Sequence, residues 1–163
     1  MSNESDFVAR FGGIYEHSAW VAEEIAAIAH GSEDMTEIAA LMADCVDNAS
    51  EKRQLTLIRA HPDLAGKAQI SGELTADSTE EQAKAGLDQC TAAEYEQFQS
   101  LNDQYHEKFG FPFVMAVRAS TRVEILAAFA ARLENDNATE FETALQEIHK
   151  IATLRLQAME ADT

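Results

Sequence analysis

Cysteine, proline and glycine are scarce in this sequence of 163 residues, which has two cysteines, two prolines and seven glycines. The cysteines, Cys45 and Cys90, form no CxxC motif, so we expect them to be reduced packing residues in a reducing compartment. With so few helix breakers, long helices joined by short loops are expected. A chain of this length can bury a core without disulfides or a structural metal, and we expect a single domain over residues 1–163.

Positive charge is also scarce, because 12 lysines and arginines stand against 29 aspartates and glutamates, giving a formal net charge of −17. Such a charge repels nucleic acids and anionic membrane surfaces, so neither is expected as a partner. No apolar run approaches the roughly 20 residues that a membrane-spanning helix needs. The sequence shows neither a secretory signal peptide nor a peroxisomal ending, and the cytoplasm is therefore the expected location.

Apolar residues recur at helical spacing along most of the chain, which predicts an all-α fold. We expect a compact, single-domain bundle of about seven to nine helices with short loops. Capping-box spacing predicts helix starts at Ser78, Thr91 and Thr121. After Thr91 an aromatic-rich face runs to Gly110, which is placed as a C-cap, and we expect this face to pack in the core. The face comprises Tyr95, Phe98, Leu101, Tyr105 and Phe109.

His61 lies where a predicted helix over residues 50 to 60 ends, because Pro62 disfavours helical dihedrals in the residue before it. The imidazole group titrates near neutral pH and the loop beginning at Pro62 could face a cleft, so His61 is a candidate for proton transfer. A lone histidine is more often structural. The other four histidines show no paired spacing, and no metal site is predicted.

Glu81 follows Ser78 by three residues, so a capping role in the first turn of a helix would explain it adequately. The same position would orient a carboxylate rigidly, beside the amide of Gln82, which both donates and accepts hydrogen bonds. The segment from Phe111 to Val114 could offer backbone groups to a ligand, since Pro112 interrupts regular pairing. Such segments are more often rigid connectors.

Arg155 falls in the last apolar stripe, at a position where the helical period calls for a hydrophobic residue. A buried guanidinium needs a partner, which is either one of the 29 acidic residues or an acceptor on a substrate. A structural ion pair is the commoner case, and the long side chain could also reach the surface. Both roles stay open for Arg155.

Three motifs stand in order along the chain. They are His61-Pro62-Asp63-Leu64-Ala65-Gly66, Ser78-Thr79-Glu80-Glu81-Gln82-Ala83-Lys84-Ala85-Gly86-Leu87 and Lys108-Phe109-Gly110-Phe111-Pro112-Phe113. Together they closely resemble the 2-oxo-4-hydroxy-4-carboxy-5-ureidoimidazoline decarboxylases. The resemblance extends from the Phe7 region, through His17-Ser18-Ala19-Trp20, to the segment from Ile148 to Leu156, so it covers nearly the whole chain.

The resemblance implies an all-helical enzyme, commonly a homodimer, that makes (S)-allantoin and carbon dioxide in urate degradation without a metal or an organic cofactor. It places the catalytic histidine at His61 and its acidic partner at Glu81. The substrate contacts that it implies are Pro62, Ser78, Gln82, Phe111, Phe113, Val114 and Arg155. Two alternative functions stay open. One is an enzyme of the same fold that acts on another ureido acid, and the other is an acidic helical module that binds a protein partner.

Overall fold

The computed structural model describes residues 3 to 66 and 74 to 161, and these residues form eight α-helices and no strand. The helices are α1 (Asn3–Phe11), α2 (Trp20–Ala29), α3 (Met35–Asp47), α4 (Glu51–Ala60), α5 (Ala76–Lys84), α6 (Ala92–Phe109), α7 (Arg122–Arg132) and α8 (Asn137–Ala161). A short 3-10 turn, Leu87–Gln89, lies between α5 and α6. The predicted all-α class is confirmed. No helix in this part of the chain combines the length and the apolar character needed to cross a membrane.

The chain forms two compact units. One comprises Met1–Ala60 together with Ile148–Thr163, and the other comprises His61–Glu147. The first unit contains α1 to α4 and the carboxyl-terminal part of α8. The second contains α5, α6, α7 and the first turns of α8. One domain over residues 1–163 stays a prediction.

Helices α1, α2 and α3 pack side by side in the first unit, each through one apolar face. The buried positions on α2 and α3 are spaced by three and four residues, as an amphipathic helix requires. They are Val21, Ala22, Ile25, Ala26 and Ala29 on α2, and Met35, Ile38, Met42 and Val46 on α3. This regular spacing explains why the helical pattern was readable in the sequence.

Tyr105 lies at the centre of the aromatic core of the second unit. Of the predicted aromatic-rich face of α6, Phe98, Tyr105 and Phe109 are buried in the core, whereas Tyr95 and Leu101 are half-buried. The Tyr105 ring centroid is 4.5 to 5.9 Å from those of four phenylalanines. The four are Phe109, Phe111, Phe113 and Phe129. The Tyr105 hydroxyl donates a hydrogen bond of 2.6 Å to Glu140 Oε1, and burial raises the pKa of this phenol.

Two of the three predicted helix starts are confirmed. Thr91 and Thr121 each form a complete capping box, in which the threonine hydroxyl accepts from the N3 backbone and the N3 glutamate accepts from the N-cap backbone. The third prediction was wrong, because α5 begins three residues before the predicted start. Thr75 is its N-cap and accepts from the backbone N–H of Ser78, so Ser78 lies inside the helix.

Candidate active site

His61 is the first residue after α4, as the position of Pro62 predicted, and its side chain is 7 % exposed. It begins a loop, residues 61 to 66, that contains neither helix nor strand. Four of the six loop residues are buried, so backbone polar groups here need partners within the protein. We call this segment the histidine loop.

Three successive carbonyl groups of the histidine loop accept hydrogen bonds from side-chain amides. The pairs are Gln82 Nε2 to Asp63 O at 3.2 Å, Asn102 Nδ2 to Leu64 O at 3.1 Å, and Gln99 Nε2 to Ala65 O at 2.8 Å. The donors come from two helices, α5 and α6. Side chains therefore supply the hydrogen bonds that regular secondary structure would otherwise provide.

Gln82 binds the histidine loop with both ends of its amide, since Oε1 also accepts from the Ala65 N–H at 3.0 Å. Its side chain is 2 % exposed. An amide nitrogen carries two hydrogens, so the loop contacts leave one of them available for a substrate. The predicted substrate contact at Gln82 is compatible with this second role in holding the loop.

Ser78, Glu81 and Gln82 share one face of α5, because they are separated by three and one residues. Ser78 is buried and Glu81 is half-buried. The helix begins at Ala76, which places Glu81 beyond the first turn and removes the capping role that the sequence offered for it. Gln82 ties this face of α5 to the histidine loop.

The histidine loop makes a tight turn after Pro62. Ala65 has a φ of 52°, in the left-handed region that residues with a side chain rarely adopt. At Gly66 an added Cβ would lie 2.8 Å from the Cβ of Asp63, so only glycine fits there without a shift. His106 Nε2 lies 2.8 Å from Asp63 Oδ1 and adds a partly exposed contact from α6.

The segment from Phe111 to Val117 has neither helix nor strand, and its first four residues are buried. The Phe113 ring stacks on Phe129 at 3.9 Å, and the Arg132 guanidinium lies over its centroid at 4.3 Å. Arg132 Nη1 also donates to the Val114 carbonyl at 2.6 Å. Since the rings of Phe111 and Phe113 both pack in the core, the groups that this segment can offer a ligand are those of its backbone.

Arg132 is itself fixed by Glu140, a fully buried carboxylate. Arg132 Nε donates to Glu140 Oε1 at 2.8 Å, and Asn135 Nδ2 donates to Oε2 at 2.9 Å. With the Tyr105 hydroxyl on Oε1, three donors surround the carboxylate, which is what a buried charge requires. The network fixes the position of the Val114 carbonyl.

Arg155 lies in the first unit, whereas all the other predicted site residues lie in His61–Glu147. Arg155 is 5 % exposed, so the apolar stripe carries a buried guanidinium and the side chain does not extend to the surface. Nη2 lies 3.4 Å from Glu16 Oε2, and Nη1 donates to the Ile14 carbonyl at 3.2 Å. Glu16 is 1 % exposed, so an acidic partner of the kind expected is present.

The sequence did not point to Gln99, Asn102, Arg132 or Glu140, although each organises a segment near a predicted site residue. The sequence pattern could have pointed to Asn102, because this polar residue lies on the buried face of α6, four residues after Phe98 and three before Tyr105. A polar residue at an apolar position deserves a partner, as at Arg155. Among residues 3 to 66 and 74 to 161, no three histidine, cysteine or acidic side chains are grouped closely enough to hold a metal ion.

Chemically, the second unit offers an imidazole at His61 and a carboxylate at Glu81 on elements that Gln82 connects. An imidazole can exchange a proton near neutral pH, and a carboxylate can orient it or take the proton onward. Side-chain amides and backbone polar groups can orient a polar, planar molecule. Groups of these kinds are able to carry out proton transfer on a small substrate.

Comparison with known proteins identifies the family. A family model described as OHCU decarboxylase matches residues 1–157. A 2-oxo-4-hydroxy-4-carboxy-5-ureidoimidazoline decarboxylase of Haloferax volcanii is 46% identical over 154 residues, covering 94% of this chain and 89% of that protein. The protein of the same name from Halalkalicoccus jeotgali is 43% identical over 163 residues, covering 96% of this chain and 88% of that protein.

The crystal structure of an (S)-allantoin synthase superposes with a TM-score of 0.75 at 36% sequence identity, covering 95% of this chain and 50% of that chain. The likeness in structure thus covers nearly the whole chain, as the likeness in sequence does. A family match over nearly the whole chain and relatives well above 30% identity leave one conclusion. The chain belongs to the OHCU decarboxylase family.

Proposed function

We propose that this chain converts 2-oxo-4-hydroxy-4-carboxy-5-ureidoimidazoline into (S)-allantoin and carbon dioxide. As a member of its family the chain is a carboxy-lyase. The names of its relatives support the substrate, and the name of the (S)-allantoin synthase supports the product. The observation that carries the proposal is the buried His61, whose loop is tied by Gln82 to the helix that carries Glu81.

The substrate contains its own electron sink. Its carboxylate is attached to the hydroxyl-bearing ring carbon, next to a ring carbon that is doubly bonded to nitrogen. When the carbon–carboxylate bond breaks, its electron pair forms a double bond between the two ring carbons, and the C=N pair moves onto nitrogen, which takes up a proton. The products of this step are carbon dioxide and an enol.

The enol then becomes allantoin by two proton transfers. The hydroxyl loses its proton as it becomes a carbonyl, and the carbon that bears the ureido group gains one. Delivery of that proton to a single face of the ring yields a single enantiomer. The tasks left to the protein are therefore orientation, charge placement and proton delivery, and the proposed chemistry needs no cofactor.

His61 exchanges the proton of the substrate hydroxyl, and Glu81 orients the imidazole or relays the proton. Gln82 positions the ring and the ureido group, and Ser78 is a further substrate contact. The family resemblance gives Arg155 a part in positioning the substrate as well. Pro62 and the segment containing Phe111, Phe113 and Val114 form the wall against which the ring lies, chiefly through backbone groups. The residue that protonates the ring carbon is left open.

The test generates the substrate in place from urate with urate oxidase and hydroxyisourate hydrolase, and follows the circular dichroism of the allantoin formed. The wild-type protein should produce one enantiomer faster than the slow, racemic background. His61→Asn should nearly abolish this turnover while the far-ultraviolet spectrum stays unchanged. The matched control is His30→Asn, which alters an exposed histidine and should leave turnover intact.

A folded wild-type protein that gives no acceleration would overturn the proposed activity and favour another ureido acid as substrate. A His61→Asn variant that remains fast and stereospecific would overturn the role of His61 alone. The assembly and the location, a homodimer in the cytoplasm with no nucleic-acid or membrane partner, are proposals that rest on the family resemblance and on the charge of −17.

A further inference from the structure

Gln99 and Asn102 lie on the side of α6 that carries His106, at spacings of three and four residues. All three side chains contact the histidine loop, and they do so at consecutive residues of it. An ordinary core face would present apolar atoms to a packed segment. This face instead presents two neutral amides and an imidazole to the loop that begins with His61.

The backbone conformation of the histidine loop needs contacts from other residues to hold it in place. Ala65 is held at a positive φ, which is unfavourable for a residue with a Cβ and persists only where the surroundings impose it. Both backbone polar groups of Ala65 are bound by side chains, the N–H by Gln82 and the carbonyl by Gln99. The side-chain amides of Gln82 and Gln99 thus fix the non-glycine residue of the histidine loop that has a positive φ.

Asn102 is poorly explained by stability alone. Its side chain is 3 % exposed and Nδ2 donates to the Leu64 carbonyl, whereas Oδ1 receives no hydrogen bond from residues in the described ranges. A buried amide that makes one bond gains little over an apolar side chain of the same shape. Its specific effect is on the loop backbone three residues after His61.

We propose that Gln99 and Asn102 are positioning residues for the decarboxylation, acting through the backbone of the histidine loop to hold the His61 imidazole in its reactive geometry. The inference rests on the proposed function, since it gives these amides a part in the step assigned to His61. Both residues act without contacting the reacting atoms. Because amides do not titrate, they hold the loop equally well across the working pH range.

The test compares Gln99→Met and Asn102→Leu with the wild type in the coupled assay. Each substitution keeps the approximate size of the side chain and removes its donor. We expect kcat to fall about 10- to 100-fold, because a small misplacement of a catalytic group has an effect of that order. KM should stay within about twofold, since groups that bind the substrate are unchanged.

Gln97→Met is the matched control, because Gln97 is an exposed glutamine on the same helix and undergoes the same chemical change. It should leave kcat, KM and the thermal midpoint as they are in the wild type. The double variant Gln99→Met with Asn102→Leu should lose less than the product of the two single losses, since both residues act on one loop.

The outcomes separate the inference from the function on which it rests. A wild type without activity would overturn the proposed function. An active wild type with variants that lower the thermal midpoint but keep kcat would show a merely structural role and overturn the inference. A rise in KM with kcat unchanged would also overturn it, because it would make the amides binding groups.

Discussion

At Arg155 two roles compete for one guanidinium. The structure gives it the buried carboxylate of Glu16 and the carbonyls of Gly13 and Ile14, which are sufficient to satisfy a buried cation. The family resemblance gives it the substrate. A guanidinium has five donors, so a structural pair and a substrate contact are compatible within one side chain.

Removing the guanidinium should therefore affect both stability and binding. Arg155→Ala removes the guanidinium that lies beside the buried Glu16 carboxylate, and we expect the free energy of unfolding to fall by roughly 3 kcal/mol. If Arg155 also binds the substrate, KM should rise at least about tenfold. The measurements are urea unfolding and steady-state kinetics on the same preparation.

Glu16→Gln is the control, because it weakens the ion pair and keeps the guanidinium. It should lower stability and leave KM unchanged. If Arg155→Ala lowers stability but its KM equals that of the wild type, Arg155 is a structural residue only. Together the two variants distinguish a structural role of Arg155 from a role in substrate binding, which the sequence left open.

N-terminal capping determines where several of the helices begin. Glu94 shows how one residue can serve two elements, since it completes the capping box of α6 and also binds Arg122 Nε, at the start of α7, at 3.0 Å. Arg122 Nη1 in turn donates to the Gly86 carbonyl at 3.0 Å. The starts of α6 and α7 are thereby joined to the turn that follows α5.

The capping box of α7 provides a test at this scale. Thr121→Ala removes the hydroxyl that accepts from the Glu124 N–H, so the free energy of unfolding should fall by about 1 kcal/mol. Thr56→Ala is the comparison, because Thr56 is an exposed threonine inside α4 and alanine is the better helix former. Equal losses for the two variants, measured by urea unfolding, would contradict the capping account.

Helix boundaries also show where local signals fail. Thr75 and Ser78 are both good N-cap residues, and the spacing from Ser78 to Glu81 favoured the wrong one. A cap is used only where the preceding backbone can leave the helix, and nothing in the local pattern states this. The error mattered, because it assigned Glu81 a structural role that the structure does not support.

The charge of −17 acts on the molecule as a whole. At neutral pH the many carboxylates repel one another, which destabilises the compact state and is screened by salt. Among residues 3 to 66 and 74 to 161, the carboxyl groups that depart from this average, because hydrogen bonds or cations lower their pKa, include four. They are Glu24 beside Arg53, Glu80 beside Lys84, Glu94 bound by the Thr91 backbone and Arg122, and Asp136 bound by the Thr139 backbone.

These shifts predict a loss of stability in acid. A carboxyl group whose pKa is lower in the folded protein stabilises it above the unfolded pKa, ordinarily 4.5 for glutamate and 3.8 for aspartate. That contribution is lost as the pH falls through the lower folded pKa values. We therefore expect the thermal midpoint, measured by calorimetry in dilute solution, to fall as the pH is lowered from about 5 to about 3.

Between pH 7 and about 5 the opposite trend should hold at low ionic strength, because the net charge shrinks and repulsion weakens. In about 0.5 M salt this rise should be much reduced, since the repulsion is already screened. A thermal midpoint that continues to rise down to pH 3 would show that repulsion outweighs the paired carboxylates throughout.

The sequence by itself determined the all-α class, two capping boxes, the end of α4 before His61 and the place of Arg155 in an apolar stripe of the last helix. These depend on residues a few positions apart, where helical periodicity and proline act directly. Its motifs also indicated the family. Local patterns suffice for such features because the physical causes are local.

Tertiary structure alone decided which polar groups meet. The contacts of Gln99 and Asn102 with the histidine loop join residues more than 30 positions apart, as do those of Tyr105 with Glu140 and of Arg155 with Glu16. Periodicity assigns a residue to a face of its helix, but it does not say what packs against that face. The partners of buried polar groups are settled only when the whole core is packed, because each needs a specific atom within hydrogen-bonding distance.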